Sequence, residues 1–446
     1  VRFLLTLLVV VGGAAALVGV VYLAMIYAPS QASASSRQQL VRIENVLGAV
    51  FITVLFVLLA RNWIRRQRRG QANMLLRMGS NLTRQARYDE ALVAYERATK
   101  IAPKVSYVWL GRGSALFRLG RYEEALAHFD HALTIDPTDT RVWGDKATVL
   151  FDRLNRNEEA IAVCDAAQAH GVESARIWVI RGDASTALGR KEDAETAFEQ
   201  ALRFPVDDHV SWAARGAALA GLRCYDEALT AYEQSLILWP NQPDVLYRKA
   251  TVLHALGRFQ EALAARENTV TLSPLEVRAW TSKGAVLARL KRYEEALSDY
   301  DRALSIDPTA ARAWGNKADL LFKHLKRYDE ALATCDEALA QGIVTADIWA
   351  SKGNALHALG REEEAHAAYE QALTFPADDP RNSLARGDAL AGVGRDEEAL
   401  TAYDQALTFW PPPHPDFLRR KAIVLRALGR EAEAREAEAW ADELDA

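Results

Sequence analysis

Cysteine is nearly absent from this chain. Cys164, Cys224 and Cys335 are the only three in 446 residues, and none forms a CxxC pair. That excludes a disulfide framework and any zinc site built on closely spaced cysteines, and it fits a reducing compartment. The usual marks of catalysis are missing too. There is no HExxH pair, no GxxxxGK[ST] phosphate loop and no GxSxG nucleophile elbow. His128 and His131 are three residues apart, but no neighbouring carboxylate or cysteine set completes a metal site. Positive charge does not prevail over most of the length. Net charge is −5; residues 1–71 carry eight arginines and one acid, hence +7, so the remainder carries −5 − 7 = −12. An acidic body lacks the clustered cations that a phosphate backbone requires, which argues against nucleic acid as the main partner.

Apolar runs are confined to the start. Residues 3–27 are 25 positions without a charge, enough at about 1.5 Å per residue to span a bilayer as a helix. Residues 46–60 form a second, shorter run, and the polar stretch "APSQASASSRQQ" between them reads as a loop. The spans expected are about 3–27 and 43–63, followed by a basic juxtamembrane segment at 61–69. A cleaved signal peptide is the alternative for the first run, with Ala32-Ser33-Ala34 as the cleavage site. "RNWIRRQRR" places five arginines after the second run, against two in the loop. The positive-inside rule then puts everything that follows in the cytoplasm of a membrane-anchored, prokaryotic protein.

The rest is periodic. "WGDKATVLFDRLNRNEEAIAVCDAA" begins at Trp143 and "WGNKADLLFKHLKRYDEALATCDEA" at Trp314; 13 of 24 positions over 142–165 and 313–336 are identical. Trp109, Trp143, Trp178 and Trp212 lie 34, 35 and 34 apart, and Trp280, Trp314 and Trp349 repeat the spacing. Each tryptophan stands four residues before Gly or Ala, and farther on come an alanine, then an aromatic such as Phe129, then a proline such as Pro137. Apolar residues recur at i, i+3, i+4 and i+7, so each unit reads as two amphipathic helices. "LGRYEEA" at 119–125 is the turn between them, and the proline stops the second helix. Eleven units start near 72, 106, 140, 175, 209, 243, 277, 311, 346, 380 and 414. The 171-residue offset equals five units of 34 plus one extra residue, so 106–276 and 277–446 are tandem five-unit blocks. Cys164 and Cys335 take the aromatic's place and read as small buried hydrophobes. The recurrent acid pairs, such as Glu123-Glu124 and Glu294-Glu295, open second helices, where acids favour the helix dipole.

The pattern resembles the tetratricopeptide repeat (TPR) family, with its W-x2-L-G-x2-Y…A-x3-F…P signature on a 34-residue period. It departs from it at one column. The Leu before the small residue is a cation: Arg112, Lys146, Arg181, Arg215, Lys249, Lys283, Lys317, Lys352, Arg386. Buried unpaired, nine such charges would not be tolerated, so their stems should pack and their heads reach acids such as Asp130, Asp165 or Asp301.

The resemblance implies an all-α, right-handed superhelical solenoid over 72–446, preceded by the two transmembrane helices of 1–71. It further implies a concave face, lined by first helices, that receives a peptide or helix. Candidate protein-binding residues there are Arg141, Thr148, Arg176, Asp183, Ala217, Arg278, Arg312, Asp319, Asn354 and Arg381, with Asp244 and Asp347 as acids on the same rim. Small residues at Gly144, Val179, Ala213, Thr281, Gly315 and Ala350 are expected to widen that groove. A rim leaning basic suits an acidic or amphipathic partner. Family members that clamp a chain-terminal carboxylate use lysine and asparagine at the fifth and ninth positions of a unit. Asn316 and Asn354 lack such lysines here, so that activity is not expected. No cofactor, metal or catalytic residue is expected. The reading is a membrane-anchored cytoplasmic scaffold; the alternatives are a non-catalytic accessory subunit of an envelope-assembly or secretion complex, and a transferase embedded in the repeats.

Overall fold

The computed structural model describes residues 34–85, 87–377, 380–409 and 415–445. Twenty-two helices and no strands occur among them. They fall into two compact units, one ending at Leu154 and the other beginning at Asn155.

The first unit opens with α1 (Ala34–Arg84), a single helix of 51 residues. The apolar run expected at 3–27 lies outside the described residues. The second run does not form an element of its own. α1 passes unbroken from the expected polar loop through the apolar run and the basic segment into the first repeat. Nothing in the sequence stops it: no proline occurs between Pro29 and Pro103, and an interior glycine such as Gly70 costs only about 1 kcal/mol. Within α1, Gly48–Arg84 is the one described stretch long and apolar enough to cross a membrane. Val46, Ile52, Phe56 and Trp63 on α1 are exposed, whereas Ala72, Leu76 and Leu82 are buried against the repeats. The helix thus changes character, from bare apolar rod to packed repeat helix, near residue 72. α2 (Tyr88–Ile101), α3 (Ser106–Arg118), α4 (Tyr122–Ile135) and α5 (Thr140–Asp152) complete this unit.

The second unit begins with α6 (Asn157–Ala169). Helix pairs follow in order: α7 (Ala175–Ala187) with α8 (Lys191–Leu202), α9 (His209–Gly221) with α10 (Tyr225–Leu238), α11 (Pro243–Ala255) with α12 (Phe259–Leu272), and α13 (Val277–Arg289) with α14 (Tyr293–Ile306). Then come α15 (Ala311–Lys323) with α16 (Tyr328–Ala340), α17 (Ala346–Ala358) with α18 (Glu362–Leu373), α19 (Pro380–Gly392) with α20 (Asp396–Phe409), and α21 (Pro415–Ala427) with α22 (Glu431–Asp445). First helices from α3 onward begin within one residue of the starts read from the sequence. Turns close on a left-handed residue, glycine at Gly120 with φ +76°. The two copies of the extra residue put Asn155 (φ 52°) and Lys326 (φ 55°) in that conformation without glycine's freedom.

The small residue of each first helix has a definite task. A Cβ on Gly113 would sit 2.5 Å from the Phe129 ring, on Gly182 2.5 Å from Phe198, on Gly284 2.6 Å from Tyr300 and on Gly353 2.5 Å from Tyr369. The rings lie against bare backbone, and they are among the most fully buried side chains. Where the small residue is Ala rather than Gly, as at Ala147, Ala318 and Ala250, the ring position holds Cys164, Cys335 and Arg266 instead. Methyl and ring compete for one volume.

Candidate functional site

The cation column lies on the flank of each first helix and reaches back to the preceding second helix. Arg112 meets Glu96 at 3.0 Å, Lys146 Asp130 at 2.5 Å, Arg181 Asp165 at 3.2 Å, Lys249 Glu233 at 2.9 Å, Lys317 Asp301 at 2.8 Å and Lys352 Asp336 at 2.6 Å. The acid is 16 residues upstream each time. Lys283 turns instead to Asp299 at 3.1 Å, on its own unit's second helix. The column is a repeated structural pair, stems packed and heads half in water. One acid of each pair that opens a second helix is likewise engaged. Glu124 accepts from Arg121 at 2.6 and 2.7 Å, and Glu295 from Arg292 at 2.6 and 2.7 Å. These hydrogen bonds hold both carboxyls below their usual range.

Within the second unit the first helices approach one another: α7 packs on α9, α15 on α17, and α17 on α19. No two successive second helices make a comparable contact among the described residues. The first helices therefore form the inner, tighter face. The small residues expected to widen a groove there are mostly buried: Val179, Thr281 and Ala350 are at most 4% exposed. A Cβ on Gly315 would lie 2.7 Å from Asp347 Oδ2. They bring helices together rather than open a channel, and polar side chains make up the inner surface.

Two parts of that surface are charge-balanced. Arg248 donates to Asp183 at 2.8 Å. Farther along, Asp319 pairs with Lys323 and lies 3.6 Å from Arg420, which also pairs with Asp388. Burial works to raise the Asp319 carboxyl, but Lys323 and Arg420 outweigh it and hold the group below its usual range. Its side chain is nevertheless 42% exposed, so protein surrounds it while water still reaches it. The aromatics of the second helices present their hydroxyls to the same face: Tyr369 donates to Asn354 Oδ1 at 2.9 Å and Tyr403 to Asp388 at 2.8 Å.

Between these patches lies an arginine cluster. Arg266 projects from α12 at the position that other units give to an aromatic. It is 4% exposed, its Nη2 donates to Thr251 Oγ1 at 2.8 Å, and its Nε and Nη1 have no partner. Its guanidinium sits 3.9 Å from the Tyr247 ring centroid, and that of Arg278 sits 4.3 Å from the same ring. Burial pushes Arg266 down to about 10, and Arg278 adds to the shift. Arg312 is lowered by burial and then by repulsion from Arg381 and Arg278. Asp244 and Glu276 lie 4.0 and 3.8 Å from Arg278, and Asp347 lies 4.0 Å from Arg381. Leaving a buried charge without a partner costs about 3–5 kcal/mol in proteins where it has been tested.

Models described as "Tetratricopeptide repeat" match residues 76–140, 214–267, 307–343 and 384–445, and others of the same description match 116–183, 175–204, 277–310 and 346–379. The chain belongs to the tetratricopeptide repeat family. No curated protein matches it in sequence. Similar solved structures include yeast Tom70, at 14% identity with TM-score 0.44, covering 84% of this chain and 92% of Tom70. A tetratricopeptide repeat protein from Parabacteroides merdae matches at 18% identity and TM-score 0.42, over 60% of this chain and 98% of its own. YrrB, described as a TPR protein with an unusual peptide-binding site, matches at 23% identity and TM-score 0.27, over 42% and 97%.

In this TPR array the expected site residues separate into groups. Arg278, Arg312 and Arg381 come together. Asp183 is tied to Arg248, Asp319 to Lys323 and Arg420, and Asn354 to Tyr369. Ala217 is buried, and Arg176 is half-buried. Arg141 and Thr148 belong to the other unit. Arg141 pairs with Asp139 at 2.9 Å and lies 4.9 Å from the Tyr107 ring, while Thr148 donates back to Gly144 O at 2.7 Å. His128 and His131 pack on Trp109, at 5.5 and 4.0 Å between centroids, and no metal-ligand cluster occurs among the described residues. Sequence reasoning missed Arg266, Tyr247, Arg248 and Arg420. The signal for Arg266 was present, as the one arginine in a column of aromatics and cysteines over units 106 to 380.

Proposed function

We propose that this chain is a non-catalytic scaffold that holds acidic or amphipathic segments of partner proteins against the inner face of its repeats, with those repeats tethered to a membrane in the cytoplasm. One observation carries the binding half: the first helices form the inner face of a tetratricopeptide repeat array, and Arg278, Arg312 and Arg381 come together on it. Cations gathered on an inner surface suit a partner that supplies the complement. The tether rests on the exposed apolar flank of α1, with Phe56 71% and Trp63 63% exposed, and on the arginines that follow it. Capture from membrane extract on the immobilised chain should retrieve a defined set of proteins that salt elutes. Retrieval of nothing beyond the bare support would overturn the scaffold reading. An alkaline phosphatase fusion after Arg69 should be inactive; activity there would overturn the cytoplasmic placement alone.

A further inference from the structure

One long surface of α1 is bare. The helix runs for 51 residues, and only a stripe from Ala72 onward, with Leu76 and Leu82, is buried against the repeats. On another side, positions 46, 50, 53, 57, 60, 64, 67, 71, 74, 78 and 81 alternate steps of four and three. That is a heptad pattern, the spacing of a coiled-coil seam. All of these positions are exposed except 60, which is half-buried. None is charged, although residues 61–84 hold seven arginines. The seam keeps its phase through the apolar, basic and repeat stretches, over about 53 Å of helix.

A bilayer around the apolar run, as proposed above, would cover side chains only as far as Ala60. Met74 and Met78 are 65% and 50% exposed, and Met74 lies about 21 Å farther along the helix. The other repeats show what this face ordinarily meets. Met74 stands two residues after the start of its unit, where later units carry Val108, Ala313 and Ile348, each 0% exposed. Those three cluster with alanines of the second helix before them: Ala98, Ala303 and Ala338. Among the described residues no second helix precedes α1.

We infer that this seam docks on α1 of a second copy of the chain, parallel and in register, so that the protein is a two-stranded homodimer. The seam is self-complementary because it holds no charge. Val50, Val57 and Ile64 fall at alternate core positions, where β-branched side chains favour two strands. Gln67, Gln71 and Asn81 are polar core residues of the kind that hold two helices in one register. The flanks agree. Five residues separate the positions that face each other across a parallel pair, which sets Phe56 opposite the second copy's Arg61 and Trp63 opposite its Arg68. An aromatic face accepts a guanidinium, so these arginines border the seam without opposing one another. The pairing does not depend on which segments the inner face of the repeats captures.

The test uses the full chain in mild non-ionic detergent, with Cys224→Ser removing the exposed thiol. Gln71→Cys and Met78→Cys put a thiol on the seam, and Asn73→Cys puts another exposed one off it. In a parallel, in-register pair each seam thiol meets its own counterpart within disulfide reach. Mild oxidation should link both seam variants into covalent dimers at least about tenfold faster than Asn73→Cys. Sedimentation should find two copies per particle for the parent. Met74→Glu with Met78→Glu changes exposed side chains alone and should reduce that to one, because carboxylates would be forced together in the seam. A parent that sediments as a single copy overturns the docking, as does a double variant that stays paired. Seam thiols that link no faster than the one at position 73 overturn it too, and linkage at only one of positions 71 and 78 overturns the parallel register.

Discussion

At the scale of single residues, partner geometry decides what each charge is worth. Lys317 and Asp301 meet at 2.8 Å, but the acid's side chain is 58% exposed. Exposed pairs contribute about 0–1 kcal/mol. Lys317→Met should therefore lower stability in urea by about 1 kcal/mol or less and leave partner capture unchanged. His128 behaves differently. Burial beside Trp109, helped by Arg112, lowers its pKa from 6.5 to about 4. Unfolded chain takes up a proton on this residue below about pH 6.5, while folded chain resists until about pH 4. Stability then falls as pH is lowered through that window and levels off beneath it. After allowance for partial exposure the contribution is on the order of 1 kcal/mol. Urea midpoints at pH 7 and pH 4.5 should differ less in His128→Gln than in the parent; an equal difference would show the histidine to be solvated. The cation column was legible in the sequence, because a charge repeated on a packing face demands an acid and the acids repeat too. The arginine cluster was only partly so. Arg278, Arg312 and Arg381 stood in one column, but their convergence with Arg266 depends on how closely first helices pack, which periodicity alone does not encode.

Helices and their pairings were the most legible feature. Tryptophan, small residue, aromatic and proline recur because each unit must solve the same packing problem. The Gly–aromatic rule sharpens that. Gly182→Ala would drive a methyl to 2.5 Å from the Phe198 ring, and Phe198 is 2% exposed with no room to retreat. Overpacking of this kind costs about 1–3 kcal/mol. Urea unfolding should show that loss, while Gly182→Ala combined with Phe198→Cys, which copies the pairing of residues 318 and 335, should recover part of it. A single substitution without effect would mean that the helices part more easily than their packing implies. The start of the first repeat near 72 was legible, but the continuity of the helix that leads into it was not. Hydropathy divides 34–84 into polar, apolar, basic and amphipathic stretches, yet every one of them is compatible with a helix. Composition changes there, and backbone conformation does not.

Over the whole molecule, charge and packing are segregated along the chain. Basic residues dominate the first 71 positions, and the acidic excess lies in the repeats. Successive helices pack chiefly on their neighbours, so the array draws its stability from short-range interfaces. What links the two regions is the unbroken helix α1. Between the end of its apolar run at Ala60 and its first buried side chain at Ala72, twelve residues of continuous helix span about 18 Å. A strut without a joint transmits rotation as well as distance. Each residue added to it turns everything downstream by about 100° and advances it by about 1.5 Å. If a membrane holds the apolar run, as proposed above, partner capture should vary with the phase of an insertion, and not simply with its length. Two alanines inserted after Gly70 would swing the repeats to nearly the opposite azimuth; seven would return them almost to their starting bearing, some 10 Å farther out. If seven restores the capture that two abolishes, α1 is an axle that sets which way the array faces. If both behave alike, the helix serves as a leash.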